Sequence, residues 1–138
     1  MAHSTARVRW EHYLEAIYQL GPAATLTKIA ETLGVKPSTA RKMIVQLQSQ
    51  GLVEYMGREG VRLTEKGRKK IEELNYIHKT LAEFFKTIGV DEQLAETEAE
   101  KLEHLIDKRV VEKIRQATHL IQAITTICQN NKKPPHNT

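Results

Sequence analysis

Leu26-Thr27-Lys28-Ile29-Ala30-Glu31-Thr32-Leu33-Gly34-Val35-Lys36-Pro37-Ser38-Thr39-Ala40-Arg41-Lys42 is the stretch on which the fold turns. The first eight residues predict a short helix whose first turn Thr27 can cap. Gly34 suits a left-handed turn, which a side chain would resist. Pro37 then opens a second helix at its first position, where the missing N–H costs nothing. Ala30, four residues before the glycine, is small enough to let the two helices approach. Met43, Ile44 and Leu47 supply the buried side of the second helix, and Gly51 closes it.

Beyond Gly51 the period changes. Leu52, Val53, Tyr55, Val61 and Leu63 are strand formers, interrupted by Gly57-Arg58-Glu59-Gly60, which predicts a β-hairpin. Upstream, residues from about Ser4 to Leu20 form an amphipathic pattern with Val8, Leu14, Ile17, Tyr18 and Leu20 towards one side, stopped by Gly21-Pro22. Helix, helix, glycine turn, helix and hairpin is the order of a winged helix-turn-helix.

The second helix would present Ser38, Thr39, Arg41 and Lys42 near the end that enters the DNA major groove. The Arg41 fork matches two acceptors on a guanine edge, whereas Lys36 and Lys42 suit phosphate. Pro37 and Thr27, at the starts of the two helices, join the DNA-contact candidates, and Arg58 and Arg62 at the hairpin tip can reach backbone or minor groove. Charge agrees: residues 1–70 hold 12 Lys/Arg against 6 Asp/Glu, and residues 71–138 hold 9 against 11. A solvated charged face would explain the basic side chains alone, but not their order with the turn, the cap and the change of period.

Thr64 is placed to cap a long helix to about Thr87, with Ile71, Leu74, Ile77, Leu81, Phe84 and Ile88 inward. Gly89-Val90-Asp91 breaks it, and a further helix is expected from Asp91 to about Ile106. Val110, Ile114, Ala117, Ile121, Ile124 and Cys128 then alternate spacings of four and three, a heptad seam suited to packing against helices or a second subunit. The tail from Gln129, with Lys132-Lys133-Pro134-Pro135, is expected to fray.

The 138 residues are 40% hydrophobic and 28% charged, an ordinary globular composition. There is no apolar run of membrane-spanning length, and Met1 to Trp10 lacks the apolar core of a secretory signal. Cys128, the single cysteine, forbids an internal disulfide, fits a reducing cytoplasm and is expected to be a small buried hydrophobe.

Glu100, Glu103 and His104 stand at i, i+3 and i+4, so on one helix they converge. His78 lies on the preceding long helix, and His12 and Glu15 share a face of the first. Three imidazoles and three carboxylates from three helices make a candidate metal-ligand set. His3, His119 and His136 lack such company and are taken as surface or tail residues, with His119 alternatively packed near the dimer seam.

The chain resembles the diphtheria-toxin-repressor family, especially its two-domain manganese-transport-regulator branch. The likeness is carried by Glu11-His12-Tyr13-Leu14-Glu15-Ala16-Ile17-Tyr18, Ala30-Glu31-Thr32-Leu33-Gly34-Val35-Lys36-Pro37-Ser38 and Gly60-Val61-Arg62-Leu63-Thr64-Glu65-Lys66-Gly67. It continues through His78, Gly89-Val90-Asp91 and Glu100-x-x-Glu103-His104. The resemblance implies a mainly α fold: a winged-helix DNA-binding domain over residues 1–70 and a helical metal-binding and dimerisation domain over 71–138. It implies a cytoplasmic homodimeric repressor of metal-uptake genes, binding palindromic double-stranded operator DNA, with no membrane, organic substrate or enzymatic activity. Glu15, His78, Glu100, Glu103 and His104 fall on the manganese branch's ligand positions. The iron branch carries cysteine where Glu100 stands, and a carboxylate suits harder ions. Mn(II) is therefore the expected metal, with Fe(II), Zn(II) or Co(II) as alternatives.

His12 departs from the pattern, since the manganese branch has aspartate there and the iron branch methionine. Glu15, Glu100 and Glu103 supply three negative charges against the four positive charges of two divalent ions. One good site and a second, weaker or retuned one are expected. The switching expectation is that a metal joining ligands of the two halves fixes the spacing of paired recognition helices. Three rivals make different predictions. A winged-helix regulator of an organic ligand would bind DNA regardless of chelators. A dinuclear metallohydrolase leaves the basic wing unexplained, and a purely structural dimerisation module leaves the first half without a purpose.

Overall fold

The computed structural model describes residues 8–132, which hold six α-helices and one two-stranded antiparallel sheet. Two compact units divide the chain, Met1–Glu73 and Leu74–Thr138.

In the first unit, α1 spans Trp10–Leu20 and is opened by the Arg9 N–H, which donates to His12 Nδ1 at 2.7 Å. The expected helical residues from Ser4 to Arg7 lie outside the described residues, as do His3, His136 and Lys133-Pro134-Pro135 of the tail. Leu14 and Ile17 are buried as expected, but Tyr18 is 51% exposed. The buried stripe runs through Tyr13, Leu14, Ala16 and Ile17, which turns Tyr18 towards solvent.

Helix α2 is Leu26–Leu33, and its cap is Thr25 rather than Thr27. Thr25 has extended backbone and its hydroxyl accepts the Lys28 N–H at 3.2 Å, whereas Thr27 is already helical. Gly34 adopts φ 66°, and the Val35 N–H returns to the Ala30 carbonyl at 3.0 Å, closing the helix end. With Ala30 buried, α2 turns into α3, Pro37–Ser49, which buries Ala40, Ile44 and Leu47.

The wing follows. β1, Val53–Tyr55, pairs antiparallel with β2, Val61–Leu63, in the register Glu54↔Arg62. A single 3₁₀ turn, Gly57–Glu59, forms the tip, so Arg58 sits there while Arg62 lies in β2, not at the tip. The Val61 N–H donates to the Ala24 carbonyl at 2.7 Å, tying the wing to the start of α2. Leu14, Ile17, Ile29, Ile44, Leu47 and Val53 are buried almost completely, and such side chains contribute roughly 1.5–3 kcal/mol each.

Helix α4, Glu65–Thr87, starts at Thr64 as expected: the Thr64 hydroxyl accepts the Gly67 N–H at 3.1 Å and donates to the Gly51 carbonyl at 2.6 Å. The division between units falls inside this helix.

The second unit packs the later turns of α4 against α5, Glu92–Leu102, and α6, Lys108–Asn131. Its core is Ile77, Leu81, Ala82, Ala99 and Val111, with Phe85, Ile106 and Ile114 against it. Ile88, expected inward, is 54% exposed because α4 ends at Thr87 and the chain turns there. Asp91 caps α5, its carboxylate accepting the Leu94 N–H at 3.1 Å.

The helix expected to run from Asp91 to Ile106 stops at Leu102. The Leu105 N–H bonds the Leu102 carbonyl at 2.9 Å, a tighter turn, and Asp107 then caps α6 by accepting the Arg109 N–H at 2.8 Å. The Asp107 cap decides this break.

The seam on α6 is also rearranged. Val111 and Thr118 are buried in the unit and Ile114 and Ile121 half-buried, whereas Val110, Ala117, Ile124 and Cys128 are exposed. Helix α6 thus carries two neighbouring apolar stripes, one used within the unit and one on its surface. Cys128, expected buried, stands on the surface stripe. No helix of the described residues is long and apolar enough to cross a membrane.

Candidate metal centre and nucleic-acid interface

Thr27, Lys36, Pro37, Ser38, Thr39, Arg41, Lys42, Arg58 and Arg62 are all exposed in the first unit. Among the described residues, no salt bridge engages Lys36, Arg41, Lys42 or Arg58. Arg62 differs: its guanidinium meets the Glu54 carboxylate across the hairpin at 2.7 Å. That pair engages Nε and one Nη of Arg62, so the guanidinium keeps other N–H donors but its charge is partly offset by Glu54.

A shallow groove along α3 is lined by Ser38, Arg41, Lys42, Val45 and Gln46. Val45 and Gln46 were absent from the candidates drawn from sequence. They lie one turn beyond Arg41 and Lys42, and the 48% exposure of Val45 is the departure from a buried stripe that marks them. An apolar side chain there suits a thymine methyl, and a glutamine suits the paired donor and acceptor of adenine.

In the second unit, the end of α5 brings titratable groups together. Glu103 is 6% exposed, and each of its oxygens faces an imidazole. His78 Nδ1 lies 2.9 Å from Glu103 Oε2, and His104 Nε2 lies 3.3 Å from Oε1. The His104 side chain is as buried as that of Glu103, at 5% and 6% exposed. The expected single helical face is cut short: α5 ends at Leu102, Glu103 is its C-cap, and His104 lies in the turn that follows. Glu100 stays on α5, exposed, one turn before Glu103.

Burial works to lower the pKa of His78, but bonds to Glu96 and Glu103 and the charges of both outweigh it and hold the ring proton more firmly than usual. The folded pKa being raised, that stabilisation is full below the unfolded value near 6.5 and is lost as pH rises through the folded one. His78 and His104 beside the buried Glu103 carboxylate supply nitrogen and oxygen donors of the kind that suits a divalent transition ion. A metal displaces the ring proton it replaces, so binding releases protons.

His12 and Glu15 belong to α1 in the first unit, both half-buried. His12 Nδ1 accepts the Arg9 N–H that opens α1, so this ring nitrogen serves the helix start. Glu11, which the sequence reading passed over, is 7% exposed, and its Oε2 has no hydrogen-bond partner among the described residues. His119 is exposed on α6, beside Arg115 at 3.4 Å.

Residues 7–61 match the family described as "Iron dependent repressor, N-terminal DNA binding domain", and residues 64–138 match its "metal binding and dimerisation domain". The chain belongs to the iron-dependent repressor family. This repressor is 36% identical over 107 residues to the HTH-type transcriptional regulator MntR of Bacillus subtilis (strain 168), covering 75% of each chain. Among solved structures, it is 29% identical to a manganese-dependent transcriptional repressor in complex with manganese, with a TM-score of 0.68, covering 80% of this chain and 52% of that one. ScaR with bound Zn²⁺ gives 28% identity and a TM-score of 0.72, covering 80% of this chain and 53% of that one. The repressor thus spans about half the length of those two structures. It is a metal-dependent, DNA-binding transcriptional repressor that acts on operator DNA as a dimer, in the fold class the sequence implied.

Proposed function

We propose that this repressor senses manganese in the cytoplasm and silences metal-uptake genes, without catalysing a reaction. The observation that carries the reading is the buried Glu103 carboxylate with an imidazole nitrogen against each oxygen. His78, Glu100, Glu103 and His104 are the proposed ligands from the second unit, and Glu15 and His12 those from the first. Carboxylates at 100 and 103 favour a harder ion, and the relatives named for manganese support that choice. Metal binding is coupled to operator binding in this reading. Couplings of this kind are worth about 1–3 kcal/mol, or 5–150-fold in affinity.

The test is operator binding with manganese, ferrous iron and zinc, and after chelation. Manganese should tighten binding within the 5–150-fold range and chelation reverse it. Chelator-insensitive binding overturns the reading and favours an organic effector.

The His12 substitution makes the second site the weaker one for manganese, because a neutral imidazole replaces a charge and favours ions later in the transition row. Calorimetric titration should find one tight manganese per chain; two equally tight ions would remove the proposal.

On the DNA face, Arg41 reads a guanine edge and Lys36, Lys42 and Arg58 hold phosphates, with Ser38, Thr39, Pro37 and Thr27 at the rim of the contact. Arg41→Ala should cost about 1–3 kcal/mol at one operator position and relax the preference there. Lys42→Ala should weaken all sequences alike and flatten the salt dependence. A uniform loss for Arg41→Ala, measured over a panel of single-base operator variants, would move Arg41 to the phosphate class.

A further inference from the structure

Glu96 lies on α5, outside the ligand set, and its carboxylate joins two groups of α4. Its Oε2 meets His78 Nε2 at 2.6 Å, and its Oε1 accepts from Lys86 Nζ at 2.9 Å. The other ring nitrogen of His78, Nδ1, faces Glu103 at 2.9 Å. A neutral imidazole has one lone pair for a metal, and the partner of the opposite nitrogen decides which atom carries it.

We propose that Glu96 is a positioning residue for the metal centre: it accepts the His78 Nε2–H, and so keeps the Nδ1 lone pair directed to the Glu103 side. The proposal rests on the reading of His78 as a ligand. Lys86 completes the device by occupying the other carboxylate oxygen, which stops Glu96 from turning to bind the cation itself. The groove over this pair is lined by Lys79 and Lys86 as well as Glu83, an unfavourable place for a second metal ion. Carboxylates behind a ligating imidazole fix its tautomer and raise its basicity, and their loss lowers metal affinity about 10–100-fold.

The experiment uses the full chain with Glu96→Ala, Glu96→Gln, Glu83→Gln and His78→Ala. Glu96 is a half-exposed helix residue, so the fold should survive, as circular dichroism will report. The first readout is ¹⁵N NMR of the His78 ring in the metal-free protein at alkaline pH. The second is Mn²⁺ titration by calorimetry. Wild type should show the Nε2–H tautomer, Glu96→Ala should lose that bias and bind Mn²⁺ at least about tenfold more weakly. Glu96→Gln, which keeps a carbonyl acceptor, should restore the tautomer and part of the affinity, and Glu83→Gln should change neither. An unchanged tautomer or unchanged Mn²⁺ affinity in Glu96→Ala overturns the proposal while His78→Ala remains metal-deficient. Should His78→Ala bind Mn²⁺ normally, the ligand reading falls first and takes the proposal with it.

Discussion

Glu103→Ala is expected to abolish the metal-induced gain in operator affinity, leaving binding at the level of the chelated protein. Glu103 is the carboxylate that His78 Nδ1 and His104 Nε2 both approach, so its removal takes away a negative charge and a hydrogen-bond partner of His78. Because Glu103 is buried, the same change leaves His78 Nδ1 and His104 Nε2 without that carboxylate, and a modest stability loss accompanies it. Glu103→Gln separates the two effects: shape and one acceptor remain, but the charge that offsets the metal is gone. Both variants should lose the manganese response, and Glu103→Gln should unfold closer to the wild-type temperature. The measurement is operator binding by fluorescence anisotropy across a manganese series, beside thermal unfolding of the metal-free proteins. A Glu103→Gln protein with the full manganese response would remove Glu103 from the ligand set.

Gly67→Ala carries the second large effect, and here two physical arguments give opposite signs. Gly67 lies in the first turn of α4, where alanine is the better helix former by about 1 kcal/mol, so propensity alone makes the change stabilising. Packing reverses it. A Cβ on Gly67 would collide with the backbone carbonyl oxygen of Leu52 and crowd Leu63 Cδ2 at 3.3 Å. The obstacle is main chain, next to the Thr64 N–H to Leu52 carbonyl bond that joins wing and helix, and cannot rotate away. Relieving such overpacking costs about 1–3 kcal/mol or more, a large share of a domain's 5–15 kcal/mol. Thermal unfolding should fall by several degrees, with weakened operator binding following from a displaced wing. A melting temperature equal to or above wild type would show that the α4 start yields more easily than this contact implies.

The winged-helix half was legible because its signals are local. Gly34, Pro37 and the hairpin glycines impose backbone conformations through their own covalent structure, and the structure keeps the elements they announce. Where local signals competed, the reading slipped by a few residues. Thr27 was the expected cap, but Thr25, whose backbone is extended, takes the role. The α5–α6 break was missed because the 3.6-residue pattern continues past Leu102, while Asp107 offers a cap that a periodicity count does not weigh.

Residue types and spacing supplied the chemistry of the candidate site, carboxylates and imidazoles at helical spacings and basic side chains gathered in the first half, while only the family resemblance marks His12 as a departure from aspartate. Only the tertiary structure decided which nitrogen of His78 faces which carboxylate, that Glu96 and Lys86 stand behind it, and that Glu54 holds Arg62. The reason is that donor type and helical spacing are covalent properties of the chain. Partner, direction and burial arise when separate helices or strands pack, and Glu96 is invisible as a partner of His78 until α5 folds back along α4.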